Sequence, residues 1–402
     1  MKKNTKTKHV AITQHCFAYY RQPIFFALCG QEISKPHYRL FFGENPPSDN
    51  TETFDPFLGD LPSQSLRVRF SRLKNIWLGK GILWQSRIVR LAISKKYDTI
   101  IFEGSPNHIS SWVGAVLGRI TGKRILFWTQ GFRRDEKGLK GVIRTIFLKR
   151  ADGLLLYGRR AREICLKRGF QPEQLYLVYN SLDYRVQVSV RKTITGTARA
   201  DLKKQLFQDS RNPLLLWVGR LLPTKRLEML LEAGRQLIDR GQIVNILFVG
   251  AGPVESELKA ETQRLGLEDH VRFYGACFSE EQLGLLISAA DLCVAPGIIG
   301  LSCIHSLVYG TPVITHSDSD YQGPEFEAII PGETGAYFKR GDSGDLARAI
   351  EEWLSSGRPR DKIRTACYRS IEEFYTPDYQ VSVINNAVAG IPADISSRDK
   401  FI

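Results

Sequence analysis

Long apolar runs are missing from this 402-residue chain. No stretch reaches the ~18–20 apolar residues that a transmembrane helix needs. The basic opening, MKKNTKTKHVAITQHCFAYY, has an apolar portion too short and too interrupted for a secretory signal. Paired cysteines are missing too. The seven cysteines (16, 29, 165, 277, 293, 303 and 367) are odd in number, scattered, and form no CxxC. That argues against a disulfide framework or a zinc site and for a reducing cytoplasm. No short-period repeat and no low-complexity tract is present. The full G-x-G-x-x-G fingerprint of dinucleotide binding is also absent, which disfavours a nicotinamide enzyme.

Acidic residues are scarce in one half only. Residues 1–200 hold 35 Lys and Arg against 14 Asp and Glu, a balance of +21, whereas residues 201–402 hold 21 against 28, or −7. The basic half should seek an anionic partner. WLGKGILWQSRIVRLAISKK (77–96) and GLKGVIRTIFLKR (138–150) interleave Trp, Ile and Leu with Lys and Arg. This pattern favours an anionic membrane surface over nucleic acid. The plainer alternative is core-facing helices with solvated basic faces.

What is there, along the whole chain, is β–α alternation, which implies an α/β protein with parallel sheets covered on both faces. HVAITQ (9–14), YDTIIFEG (97–104), KRILFWTQG (123–131) and ADGLLLYG (151–158) read as strands separated by helices. Residues 43–66 read as a polar loop or lid. The pattern fades over 185–210 and then resumes with LLLWVGRL (214–221), VNILFVGAGP (244–253) and VRFYG (271–275). The expected organisation is an N-terminal domain over 1–184, a linker over 185–210, a C-terminal domain over 211–358, and a helical segment over 359–402 that packs back toward the N-terminal domain.

Three motifs carry chemistry. In LLLWVGRLLPTKRLEMLLEA (214–233), Gly219 and Arg220 end a buried strand and Lys225 lies in the loop before a helix. A planar guanidinium and a point-charge ammonium at that place suit a diphosphate. In LFVGAGP (247–253), Gly250 and Gly252 let a phosphate or a planar ring approach the backbone. In DLCVAPGIIGLSCIHSLVYGTPVIT (291–315), a glycine loop opens a helix, with His305 one turn in. Taken singly, each also fits an ordinary turn, a surface loop or a structural histidine.

Taken in order, VGRLLPTKRLEMLLEA, LFVGAGPVESELKAETQRLGLEDHVRFYGACFSEEQLGLLISAADLCVAP, GLSCIHSLVYGTPVIT and EFEAIIPGETGAYFKRGDSGDLARAI resemble glycosyltransferase family four. These are retaining glycosyltransferases of the GT-B fold, two Rossmann-like domains facing across a cleft. The resemblance covers about 150 residues of the second half in unbroken order. YYRQPIFFAL (19–28) and VYNSLDY (178–184) are weaker signals of the same family.

The resemblance implies a nucleotide-diphosphate sugar as donor and no metal or other cofactor. Arg220 and Lys225 would hold the donor diphosphate, and Gly219, Gly250 and Gly252 would shape the loops around it. Tyr274 would border the base, and Gly300, Leu301, Ser302, His305, Glu325 and Glu327 would surround the sugar and ribose. The family carries two glutamates eight positions apart, and those positions here are Gly297 and His305. His305, beside cations and a helix N-terminus, is expected to be a neutral imidazole that positions the donor. DSD (318–320) is read as a polar loop. On the acceptor side the candidates are His15, Arg21, Glu103, His108 and Gln130. The implied acceptor is a glycan, on a polyprenyl-diphosphate lipid at the inner face of a bacterial membrane, with no nucleic acid. Two rivals are a catalytically silent scaffold of the same fold and a nucleotide-sugar epimerase.

Overall fold

The computed structural model describes residues 7–31, 35–45, 52–79 and 81–394. Part of the stretch expected to be a loop or lid over 43–66 lies outside the described residues. The chain forms two compact units, Met1–Leu182 with Pro377–Ile402, and Asp183–Thr376.

In the first unit, β1 (His9–Gln14), β2 (His37–Phe42) and β3 (Phe70–Arg72) come first. A separate antiparallel hairpin follows, β4 (Asn75–Leu78) with β5 (Ile82–Gln85). Then come β6 (Thr99–Glu103), β7 (Arg124–Thr129), β8 (Gly153–Leu156) and β9 (Leu175–Leu177). The sheet runs β3-β2-β1-β6-β7-β8-β9, with every pairing parallel. Its central strands are buried almost end to end because helices cover both faces. The basic stretch 77–96 is not one amphipathic helix. It divides between the hairpin and the short helix Ile88–Ile93.

The second unit carries β10 (Leu214–Val218), β11 (Asn245–Val249), β12 (Val271–Gly275), β13 (Leu292–Ala295), β14 (Val313–His316) and β15 (Gly335–Phe338). Their order is β12-β11-β10-β13-β14-β15, again all parallel. The stretch 185–210 is not a linker. It forms the helices Tyr184–Thr193 and Gly196–Leu206, capped by Asp183 accepting from Val186 N (3.2 Å) and Thr195 accepting from Ala198 N (3.1 Å). Both pack on the helix Glu280–Ala289 of the same unit. They bury only Gln187, Val190 and Leu202, so their apolar periodicity is faint.

The segment expected to leave as one piece from residue 359 is also split. The helix Arg360–Phe374 stays with the second unit, and Pro377 opens the helix Pro377–Ala389 of the first. Proline disfavours helical backbone at the residue before it and suits a first helical position. Ile384, Ala387 and Val388 then join the core formed with Ile24, Phe25 and Leu28. Tyr38 Oη donates to Asn385 Oδ1 (2.7 Å) and Arg124 Nε to Ala387 O (2.7 Å).

Strand order reverses once in each sheet, between β1 and β6 and between β10 and β13. Connections depart in opposite directions at such a point and leave a crevice beyond the carboxyl ends of the strands, where open parallel sheets take their ligands. The residues placed there are His15 and Glu103 in one unit, and Gly219–Lys225 with Gly297 in the other.

Candidate active site

In the second unit the loops after β10 and β11 are joined through their backbones. Gly219 N donates to Val249 O (2.9 Å), Leu221 N to Ala251 O (2.9 Å) and Gly250 N to Gly275 O (2.8 Å). Gly250 has φ +144°, and a Cβ on it would collide with Gly219 O, so only glycine fits. Gly252 packs as closely on Leu221 O. Tyr274, at the end of β12, is exposed beside these loops.

Arg220 and Lys225 follow β10. Lys225 is largely buried, its Nζ donates to Ile298 O (2.7 Å), and it lies 5.6 Å from the Trp217 ring. Burial and then the charge of Arg220 lower its pKa, while Glu325 pulls it back up. Two like charges share this crevice with one buried carboxylate, so an entering dianion would relieve the repulsion. Glu327 is two residues beyond Glu325 on the same short turn, Pro324–Ala328.

The loop after β13 is fixed from two sides. Gly297 N donates to Lys225 O (2.9 Å) and Ile298 N to Thr224 O (3.2 Å). Ile299 N donates to Gln322 Oε1 (3.0 Å), and Gln322 Nε2 donates to Thr315 Oγ1 (2.7 Å) and His316 O (3.1 Å). Gln322 is a buckle on this loop that no sequence motif marks. Gly300, where a Cβ would meet open space, and Leu301 lead into the helix Ser302–Val308. In the polar loop, Asp318 accepts from Asp320 N (3.2 Å) and pairs with Arg340 at 3.5 Å.

His305 meets a partner that the sequence does not announce. Its Nε2 lies 2.9 Å from Glu280 Oε1, which also accepts from Tyr309 Oη (2.6 Å). Burial pushes the Glu280 pKa up, but His305, Tyr309 and Gln187 outweigh it and hold the group below the usual range. An ionised carboxylate only accepts, so Nε2 carries a proton and donates. A carboxylate therefore stands against this ring, where cations alone were expected to set its surroundings.

In the first unit, the loops after β1, β6 and β7 line a pocket of about 380 Å³ that includes His15, Arg21, Glu103 and Gln130. Glu103 grips His15 twice: its Oε1 is 2.7 Å from Nδ1 and its Oε2 accepts from His15 N (2.7 Å). Burial pushes His15 down, but the Glu103 charge prevails and raises it to about 11. Burial pushes Glu103 up, and His15 prevails in turn, lowering it to about 2. His108 stands beside the pair, its ring centroid 6.0 Å from that of His15. Its pKa is lowered by burial against the pull of Glu103. Gln130 is exposed at the pocket. Among the described residues no group of three or more His, Cys, Asp or Glu could hold a metal.

Two comparisons define what this architecture is. The fold is GT-B. HepE of Anabaena, solved with UDP, superposes with a TM-score of 0.68 at 18% identity, covering 95% of this chain and 98% of that one. A lipopolysaccharide outer core galactosyltransferase, WaaB in its apo form, gives 0.69 at 17% identity, covering 95% and 99%. In sequence, residues 198–370 match the family glycosyl transferases group 1. The alpha-D-kanosaminyltransferase of Streptomyces kanamyceticus is 26% identical over 254 residues, 62% of either chain. The match thus spans less than two thirds of that relative's length.

Proposed function

We propose that the protein is a group 1 glycosyltransferase. It moves a sugar, with retention, from a nucleoside-diphosphate sugar on the second unit to a glycan or lipid-linked acceptor on the first. Its setting is the synthesis of a bacterial surface polysaccharide. The observation that carries this reading is the Arg220–Lys225 pair at the strand-order reversal of the second sheet. When the bond from the anomeric carbon to the phosphate oxygen breaks, negative charge collects on the leaving diphosphate. Fixed cations in a partly buried crevice stabilise that charge without having to reorganise. The UDP in the similar HepE structure makes a uridine nucleotide the first donor to try.

The membrane belongs to the same proposal. On the helix Gly138–Leu148, Leu139, Val142, Ile143 and Ile146 are 42–74% exposed. Their spacing puts them on one face, with Lys140, Lys149 and Arg150 alongside or just beyond. An apolar stripe with basic flanks suits an anionic bilayer surface. Among the described residues no helix is long and apolar enough to cross a membrane.

Thermal unfolding with UDP, GDP and a panel of nucleotide sugars tests the reading. A donor nucleotide should raise the apparent Tm by mass action, and Arg220→Ala should abolish the rise. No response to any nucleotide would remove the proposal.

A further inference from the structure

The pocket of the first unit contains buried side-chain donors with nothing to donate to. Arg21 is 8% exposed, and Gln14 and Trp128 are 2% exposed. Among the described residues Arg21 Nη2, Gln14 Nε2 and Trp128 Nε1 have no hydrogen-bond partner, and all three residues line the pocket. The orientation of the Gln14 amide is fixed, because Arg21 Nη1, which can only donate, gives its proton to Gln14 Oε1 (2.6 Å). Each of these buried orphans is therefore a donor, and among the described residues the lining holds no buried orphan acceptor.

Charge points the same way. Glu103, the carboxylate of this pocket, is committed to His15, and Glu136 is committed to Arg144, which also lines the pocket. The Arg21 guanidinium stacks on Trp128 (4.1 Å to the ring) and on Phe25 (4.8 Å), and among the described residues it makes no ion pair. A buried cation without a counter-ion and two unsatisfied N–H groups are each costly unless a ligand completes them. Arg144 rises from the helix whose other face carries the apolar stripe Leu139–Ile146.

We infer that this pocket binds a phosphate group of the acceptor, with Arg21, Trp128 and Gln14 donating to its oxygens. Phosphate presents enough oxygens for three separate donors, and the fork of Arg21 suits them. Placing the phosphate on the acceptor rests on the glycosyl-transfer reading above. The phosphate site itself does not.

Titration calorimetry on the whole protein tests this with four probes: inorganic pyrophosphate, geranyl diphosphate, glucuronate and glucose. Both diphosphates should bind, and glucose should not. Tighter binding of geranyl diphosphate assigns the group to a lipid-linked acceptor, and equal binding assigns it to a soluble one. Trp128→Phe, which keeps the stacking and removes one N–H, should weaken diphosphate binding about tenfold. Arg21→Lys should weaken it at least as much, and in Arg220→Ala, whose donor crevice no longer competes for diphosphate, binding should persist and still weaken when Trp128→Phe is added. Trp128→Phe keeps the test intact if the Arg21 variant does not fold. Diphosphate binding lost only in Arg220→Ala overturns the inference, because the anion then occupies the other unit, and it leaves the donor proposal standing. Binding of glucuronate alone, equal binding of glucose, or no binding by any probe also overturns it.

Discussion

The backbone N–H of Gly297 donates to the carbonyl of Lys225 (2.9 Å), and the Lys225 ammonium donates to the carbonyl of the residue after Gly297, Ile298 O (2.7 Å). This two-way clasp leaves no room for a side chain at 297. A Cβ there would lie 2.7 Å from Lys225 C and nearer still to Thr224 O. The glycine found where the resemblance places a glutamate is therefore part of what positions the lysine. Gly297→Glu should not restore a missing function. It should push the two loops apart and cut transfer at least tenfold, with a weaker nucleotide-induced rise in Tm. Unchanged kinetics in that variant would show that the clasp is dispensable.

Arg220 and Lys225 should behave as one charge-stabilising unit. Replacing either with alanine should lower turnover by about 10²-fold or more, the scale seen when a preorganised charge-stabilising donor is removed. Arg220 is exposed and makes no ion pair among the described residues, so Arg220→Ala should leave the Tm within about 2 °C. Steady-state kinetics and thermal unfolding of the two variants check both statements.

How far the sequence disclosed this arrangement depends on the element. Strands such as LLLWV of β10 and NILFV of β11 are continuous apolar runs ending in glycine, and they can be read directly. The early strands β2 to β5 leave little mark. Arg39 interrupts β2, β3 has three residues, and β4 and β5 expose alternate positions at the surface. Arg220 and Lys225 are marked by local spacing. Gln322 and Glu280 are not, because each acts on a loop or helix more than twenty residues away, and a single sequence does not register such contacts. Gln14 and Trp128 looked like ordinary strand residues for the same reason. Only the folded sheet shows that their N–H groups lack partners.

The helix Gly138–Leu148 should anchor the protein to anionic bilayers. Binding to phosphatidylglycerol vesicles should weaken as salt rises, because exposed charge is screened within about 10 Å at 0.1 M. Val142→Asp with Ile143→Asp should reduce co-sedimentation at least tenfold without changing nucleotide binding, since both side chains are 42–52% exposed. Full retention on vesicles would move the contact elsewhere.

His305→Glu, the substitution that recreates the family residue, should be harmful here. It would set a second carboxylate against Glu280, which now accepts from His305 at 2.9 Å and from Tyr309 at 2.6 Å. Like charges at that spacing in a half-buried site should cost about 1–3 kcal/mol. His305→Glu combined with Glu280→Gln should recover most of the loss, the mark of a direct pair in a double-mutant cycle. Urea unfolding at pH 7 and pH 5 measures it. A loss that the second change leaves untouched would break the assignment.

The His15–Glu103 pair should leave its mark on the pH dependence of stability. Glu103 is held near 2, below its ordinary value of 4.5, so its contribution is complete above pH 4.5 and is lost as pH falls toward 2. His15 is raised to about 11, above its ordinary 6.5, so its contribution is complete below pH 6.5 and drains away as pH climbs toward 11. The two windows overlap between pH 4.5 and 6.5, where the pair stabilises most. Glu103→Gln keeps the shape of the side chain but leaves His15 without its counter-ion. It should cost about 2–3 kcal/mol in that window and progressively less toward pH 11, because the wild type gives up the same interaction there. Denaturant unfolding of both proteins across pH 4 to 10 gives the difference curve. A flat difference would mean that the carboxylate serves His15 only as a neutral acceptor, and the ion pair would have to be abandoned.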